Sequence, residues 1–302
     1  MNDGAALSTT VIPVVFCLDA NYARYAAVAT YSLCKHTRTP LKIYWICPLT
    51  DLQVISVVCQ QLRTNNIEVV CVGTNADIFH DWKVMEHINS SSYIRLLIPA
   101  LIKEEKVIYL DSDTLVLDDL LPLYQTDLKD CSIAGVIDPG GHDSSRIPRD
   151  ANDRYINSGV LLMHLERLRK DDFTTQCTHL YGIHHKEVTW GDQCLINKFA
   201  ENKKIILDPK WNRQIFSHAL DQAAWQIAAA PGHSKVIHFL GRIKPWQKWC
   251  VSPVADFWWA YANELALPNF HRRHLTRFDR GFRLAKRCTP RLVKTIARRL
   301  IK

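Results

Sequence analysis

K-V-I-Y-L-D-S-D-T-L-V-L, residues 106–117, is the stretch whose reading decides the fold. Val107, Ile108, Tyr109 and Leu110 form a short apolar run, the pattern of a buried strand. The run ends in Asp111-Ser112-Asp113, and a second apolar run, residues 115–117, follows at once. Carboxylates are costly inside a core unless they are paired or bind a metal. The economical reading is a strand end that offers both to a hard divalent cation, which takes oxygen ligands and keeps positions open for phosphate. The plain alternative stays open at this point. A D-x-D triplet arises by chance about once in a chain of this size, and Asp-Ser-Asp is ordinary turn chemistry.

Upstream, the chain reads as alternating strands and helices. Residues 11–18 form an apolar strand with Pro13 near its start, which places the beginning of the ladder after the proline. Asp19-Ala20-Asn21-Tyr22 then leads into a helix over 23–36. In open α/β sheets ligands bind at the carboxyl ends of strands. Asp19 and Asn21 can contact a base or ribose, and Tyr22 offers a stacking face. An Asx turn with a helix cap explains the same residues equally well. A second strand is expected over 42–47, and Thr50-Asp51-Leu52-Gln53 reads as a capping box opening a helix to about Arg63. A third strand is expected over 67–72. This β-α-β-α-β order argues a parallel sheet. The first strand lacks the G-x-G-x-x-G that a dinucleotide dehydrogenase would carry.

A helix is expected over 90–102, interrupted near Pro99, with Arg95 as the one base on an apolar face. Such an arginine snorkels to water or points at an acid or phosphate. Downstream come a strand over 132–137 ending in Asp138, a polar aperiodic loop over 140–153, and Asn157-Ser158-Gly159 entering an apolar strand. A small polar trio there indicates backbone close to a ligand. Helices follow over 171–181 and 191–200. Asp192 lies in the first turn of the second, where the helix dipole alone accounts for an acid. The strand over 235–239 carries His238, which by itself reads first as a core histidine. Gly241 and Lys244 follow it as parts of an anion-binding loop. An aromatic helix with Phe257, Trp258, Trp259 and Tyr261 closes the domain.

Charge separates a body from a tail. From Arg272 onward there are twelve Lys or Arg and a single acid, Asp279, a net charge of +11. The whole chain of 302 residues carries +8, so the part before Arg272 carries −3. Residues 291–302 draw as a helix with Leu292, Val293, Ile296, Leu300 and Ile301 on one face and basic residues on the other. That pattern suits an anionic membrane interface, with nucleic-acid binding as the rival. The ten cysteines form no C-x-x-C pair and lie mostly in apolar segments, as buried thiols of a reducing compartment do. No stretch has signal-peptide or membrane-spanning character. The expected location is cytoplasmic, peripheral on the cytoplasmic face of the inner membrane.

Six segments together resemble family 8 of the retaining glycosyltransferases. They are L-D-A-N-Y at 18–22, Y-I-R at 93–95, Y-L-D-S-D at 109–113, N-S-G-V-L-L at 157–162, G-D-Q-C-L-I-N at 191–197 and H-F-L-G-R-I-K-P-W at 238–246. The family includes bacterial lipooligosaccharide and lipopolysaccharide galactosyl- and glucosyltransferases. The resemblance implies an α/β, GT-A-like fold, a mostly parallel sheet flanked by helices, over residues 1–265, with a basic helical membrane-associating tail over 266–302. It implies Asp111, Asp113 and His238 as ligands of Mn²⁺, with Mg²⁺ as the alternative. Leu18, Asp19, Asn21 and Tyr22 then contact uracil and ribose, while Ser112, Leu240, Gly241 and Lys244 contact the rest of the nucleotide. Arg95, Asn157, Asp192 and Gln193 surround the transferred sugar, the last two as candidate catalytic groups, and Asp138 lies on the acceptor side. The implied reaction moves a hexose, galactose first and glucose second, from a UDP-sugar to a lipopolysaccharide or lipooligosaccharide core or another surface glycan. Two alternatives remain: a glucosyltransferase acting on a protein or soluble glycan, and an inactive sugar-nucleotide-binding protein. Retention by double displacement needs a carboxylate nucleophile. Gln193 is an amide, so attack on the same face, with a leaving phosphate oxygen taking the acceptor's proton, is the preferred course.

Overall fold

The computed structural model describes residues 10–82, 90–141, 145–216, 230, 232–250 and 253–272. The amphipathic helix expected over 291–302 lies outside them, as do residues 142–144 of the 140–153 loop.

A seven-stranded sheet has the order β3-β2-β1-β4-β7-β6-β8. The strands are β1 (Ile12–Cys17), β2 (Leu41–Pro48), β3 (Val69–Thr74), β4 (Lys106–Leu110), β6 (Ile133–Ile137), β7 (Ile156–His164) and β8 (Lys204–Ile206). β1 pairs in parallel with β2 and β4, β2 with β3, and β6 with β8. β7 runs antiparallel to both β4 and β6. A second, three-stranded sheet holds β5 (Thr114–Val116), β10 (Val236–Leu240) and β9 (Arg213–Phe216) in that order.

The central strands read as unbroken apolar runs because both faces are covered. Ile12, Val14 and Phe16 of β1, with Ile108 and Leu110 of β4, pack into one core. That core is closed by the helices α1 (Ala23–His36), α2 (Leu52–Arg63) and the last helix, Pro253–Leu265, whose Trp258 and Trp259 are buried. Val15, Val107 and Tyr109 face a second core, with Ile94 and Leu195. Each fully buried aliphatic or aromatic side chain contributes about 1.5–3 kcal/mol relative to exposure.

Three local expectations differ from the structure. β1 begins at Ile12, so Pro13 lies inside the ladder, opposite Lys42. Ile12 N and Leu18 N donate toward the β2 side, to Pro40 O and Ile46 O. The nitrogen of Pro13 therefore faces the β4 side, where pairing starts only at Val14, and no ladder bond is lost. Thr50 is not a helix cap. Leu49–Asp51 form a 3-10 turn, and the Asp51 carboxylate accepts from Ala20 N at 2.8 Å instead of closing its own helix. The helix expected over 90–102 is a 3-10 helix over Ser90–Leu97 that passes into the short α3 (Ile98–Leu101), with Pro99 in its first turn, where a missing N–H costs nothing.

Candidate active site

The site gathers at one edge of the large sheet. The carboxyl end of β4 delivers Asp111, and the turn into β5 delivers Asp113. His238 lies on β10, whose antiparallel register sets it opposite Thr114. Asp111, Asp113 and His238 offer ligand atoms that all lie within 4.8 Å of one another, so these three can hold a metal ion. His238 Nε2 is 3.2 Å from Asp113 Oδ1 and 3.6 Å from Asp111 Oδ2. Two hard oxygen donors and one imidazole fit Mg²⁺ or Mn²⁺ better than a soft metal.

The carboxylates are held in place from behind. Asp111 N donates to Gly159 O at 2.8 Å. Asp111 Oδ1 accepts from Tyr109 Oη at 2.6 Å and from Arg95 Nη2 at 3.0 Å, which leaves Oδ2 to the cluster. Asp113 Oδ2 pairs with Lys244 Nζ at 2.6 Å, and the same ammonium donates to Phe239 O at 2.6 Å. Burial pushes the Asp113 pKa up, but Lys244 and His238 outweigh it and hold the carboxyl below its ordinary value. Gly241, at φ +83°, takes the left-handed backbone that lets the chain turn between His238 and Lys244. Gly159 is needed for a different reason. A Cβ there would lie 2.1 Å from His238 Cε1 and 2.8 Å from Asp111 Oδ2. The small trio 157–159 thus admits the side chains of His238 and Asp111 to the strand.

Arg95 resolves in favour of acids. Its Nε is 2.6 Å from Asp192 Oδ2, its guanidinium lies over the Tyr109 ring at 4.6 Å, and its Nη1 donates to Ser158 O at 2.6 Å. After α4 (Leu121–Tyr124), α5 (Leu165–Lys170) and α6 (Phe173–His184) comes α7 (Asp192–Phe199), which Asp192 opens. Burial raises the Asp192 pKa to about 6, Arg95 opposing and Asp111 reinforcing the shift. The next residue, Gln193, is locked at both ends of its amide. Its Oε1 accepts from Ser158 N at 3.0 Å, and its Nε2 donates to Asp138 Oδ2 at 3.0 Å. Asn157 Nδ2 reaches the same Asp138 oxygen at 3.4 Å. Asp138, Asn157 and Gln193 are therefore one group.

At the end of β1, Leu18 is buried and Asp19 closes a local turn, its Oδ1 accepting from Tyr22 N at 3.0 Å. The Asp19 turn is present, but α1 has no side-chain cap, and Asn21 is exposed beside it. Burial, then the charges of Asp113 and Asp19, push the Tyr22 phenol above its ordinary range. Trp246 stacks on Tyr25 at 4.0 Å and meets Tyr22 edge-on at 6.2 Å, tying the 241–246 loop to the start of α1. Leu240 ends β10, half-buried. The buried Ser112 hydroxyl makes no hydrogen bond within the described residues, an orphan donor and acceptor beside the carboxylates.

The chain as a whole is similar to known proteins. The model for "Glycosyl transferase family 8" matches residues 13–250. The chain belongs to glycosyl transferase family 8. Relatives of this family 8 glycosyltransferase include the glycosyltransferases GlyF and GlyE of Streptococcus pneumoniae serotype 4. GlyF is 26% identical over 228 residues, 74% of this chain and 54% of its own length. GlyE is 28% identical over 261 residues, 82% of this chain and 60% of its own length. The chain thus spans little more than half the length of these relatives. A solved structure of the galactosyltransferase LgtC, in complex with donor and acceptor sugar analogues, superposes with a TM-score of 0.74 at 24% identity. It covers 89% of this chain and 99% of LgtC. At that identity the likeness establishes the GT-A-like fold.

Two residues of the site were not singled out by sequence reasoning. Asn212, just before β9, bonds to both Asn157 and His238. Asn197, on α7, bonds to Ile156 N and O. Asn197 stands in the G-D-Q-C-L-I-N segment, so a signal was present. Asn212 had only a Trp-Asn pair between two strands too short to recognise.

Proposed function

We propose that this family 8 glycosyltransferase moves a hexose with retention from a UDP-sugar to a surface glycolipid core, galactose being the first choice of sugar and glucose the second. One observation carries the reading: two carboxylates and an imidazole converge within 4.8 Å, with Lys244 on the outer carboxylate. A divalent cation there, Mn²⁺ before Mg²⁺, supplies positive charge against the donor diphosphate. Lys244 is placed to exchange Asp113 for a phosphate oxygen and to stabilise UDP as the C1–O bond breaks. Ser112, Leu240 and Gly241 line the nucleotide, and Leu18, Asp19, Asn21 and Tyr22 receive uracil and ribose. Arg95, Asn157, Asp192 and Gln193 bound the sugar, and Asp138 faces the acceptor.

The hydrogen bonds favour same-face attack. The Gln193 oxygen already accepts from Ser158 N, and the Asp192 carboxylate is 3% exposed and paired with Arg95. Neither is free to act as a nucleophile on the far side of the sugar. A leaving phosphate oxygen then takes the acceptor's proton, while Asp192 and Gln193 hold the ring. The basic tail from Arg272 is proposed to bring this chemistry to an anionic membrane, and no nucleic-acid partner is expected.

The test is hydrolysis of a panel of nucleotide sugars by the purified protein, with and without Mn²⁺. Slow, cation-dependent UDP release from a single hexose donor is the expected result. Asp113→Ala should lower it on the order of 100-fold or more while the protein stays folded by circular dichroism, given that groups at a metal site typically cost 10–100-fold even one shell out. Absence of both hydrolysis and cation-dependent UDP binding would remove the proposal.

A further inference from the structure

Which nitrogen of His238 carries the hydrogen can be worked out from the amides behind it. The backbone N–H of Gly159 can only donate, and it meets Asn157 Oδ1 at 3.0 Å. The other end of that amide, Nδ2, faces the Asp138 carboxylate at 3.4 Å, and a carboxylate oxygen accepts. Asn157 is therefore oriented from both sides. Its Oδ1 also meets Asn212 at 2.8 Å, so the Asn212 atom at that contact must be Nδ2. The remaining atom, Asn212 Oδ1, lies 3.2 Å from His238 Nδ1. An amide oxygen has no proton to give, so the hydrogen sits on His238 Nδ1. Nε2 is the nitrogen turned to Asp113 Oδ1 and Asp111 Oδ2, where a cation would replace any proton it shares with them.

We propose that Asn212 is a positioning residue that keeps a proton on His238 Nδ1, so that Nε2 is the nitrogen left to a cation at the cluster. The outer partner of a ligating imidazole sets which nitrogen is available and how the ring is turned. Asn212 is 1% exposed and His238 3% exposed, so bulk water is not at hand to replace the bond. The placement follows from topology. β9 pairs in parallel with β10, His238 lying opposite Gln214, and this sets the residue just before β9 behind the ring. Gly159 closes the other side, where a Cβ would meet the ring itself. What Nε2 binds rests on the metal-dependent reading above; the tautomer does not.

The decisive measurement uses the full chain without metal, labelled with ¹⁵N-histidine, at about pH 8.5, roughly two units above the ordinary histidine pKa. Two-bond proton–nitrogen correlations distinguish the tautomers, and His238→Gln identifies the His238 signals by their loss. The expected pattern has a proton on Nδ1, with Nε2 bare or, where the carboxylates hold it, protonated as well; a neutral ring protonated on Nε2 alone overturns the proposal. This readout needs no variant at Asn212, so it stands even where such a variant folds poorly. In folded Asn212→Ala the pattern should shift toward Nε2–H, and calorimetric affinity for Mn²⁺ with UDP should fall about 10- to 100-fold. Asn212→Asp, which still offers an acceptor to Nδ1, should retain the Nδ1–H pattern. Unchanged tautomer and affinity in Asn212→Ala also overturn it. Wild-type protein with the Nδ1–H pattern but no affinity for Mn²⁺ would overturn the metal-dependent reading and leave the role of Asn212 standing.

Discussion

At the scale of single residues, one guanidinium serves two acids. Arg95 lies between Asp111 at 3.0 Å and Asp192 at 2.6 Å, all three largely out of water. A buried ion pair broken at one partner costs roughly 3–5 kcal/mol, so these residues carry stability whatever part they take in the site. Burial sets the Asp192 pKa at about 6, above an ordinary value of 3.8. A carboxyl raised on folding binds its proton more tightly in the native state. Its contribution to stability is complete below the unfolded pKa and is lost as pH climbs through the folded one. The metal-free protein should therefore lose about 2 kcal/mol relative to Asp192→Asn between pH 4 and pH 7, at 1.36 kcal/mol per unit and with pH 4 already above the ordinary carboxyl value. Urea melts of both proteins across that range measure it, and parallel profiles would count against a raised Asp192. In the sequence, Arg95 was legible only as a base on an apolar face, and Asp192 as an acid in a first turn. Local pattern gives each residue a reason to exist. It does not say that the two meet, because their distance is set by the packing of the 3-10 helix against α7 in the second core.

At the scale of elements, legibility tracked length and contrast. The long apolar runs of β1, β2, β4 and β7 were readable, since a strand covered on both faces has no polar positions to break it. β8, with three residues, and β9, with four, fell below any periodic signal. Yet β9 positions Asn212, so the least readable strand carries the least anticipated residue. Pro13 misled because its cost depends on which side its nitrogen faces, which sequence alone does not state. Helix α7 shows how an element is fixed to the sheet by one side chain. Asn197 is fully buried, accepts from Ile156 N at 2.8 Å, and donates to Ile156 O at 2.8 Å and Gln193 O at 2.9 Å. It completes the edge of β7 where strand pairing gives way to the site. Replacing it with leucine of similar size would orphan a buried N–H and carbonyl, each worth about 1–3 kcal/mol. Asn197→Leu should lower the unfolding free energy by about 2–4 kcal/mol on that basis, read from urea melts. It should also weaken donor binding, because Asn157, Ser158 and Gln193 lose their common anchor. A change under about 0.5 kcal/mol, the usual size of a neutral surface substitution, would show that Asn197 does not dock the helix.

At the scale of the molecule, the antiparallel turn of β7 collects the site. β4 and β1 end at the same edge at which β7 begins, since Leu110 lies opposite Val160 and Ile137 opposite Ile156. Asp19, Asp111, Asp138 and Asn157 therefore share one face, although they come from four strands. That face sits in a body of net charge −3, and the segment from Arg272 carries +11. No helix among the described residues is long and apolar enough to cross a membrane. Such a charge division separates two tasks: an acidic body cannot by itself gather on an anionic surface, whereas a basic segment can, at about 1 kcal/mol per Lys or Arg near the headgroups. Deleting residues 273–302, which removes eleven of the basic residues, should abolish sedimentation with vesicles containing anionic lipid and leave hydrolysis of the soluble donor unchanged. Binding by the full chain should weaken as salt is raised, since the attraction is screened over about 10 Å at 0.1 M. Electroneutral vesicles should capture neither form if charge leads, and should still capture the full chain if the apolar face of residues 291–302 leads. Undiminished binding of the truncated protein to anionic vesicles would place the membrane contact in the body, against its own sign of charge, and would end the case for the tail.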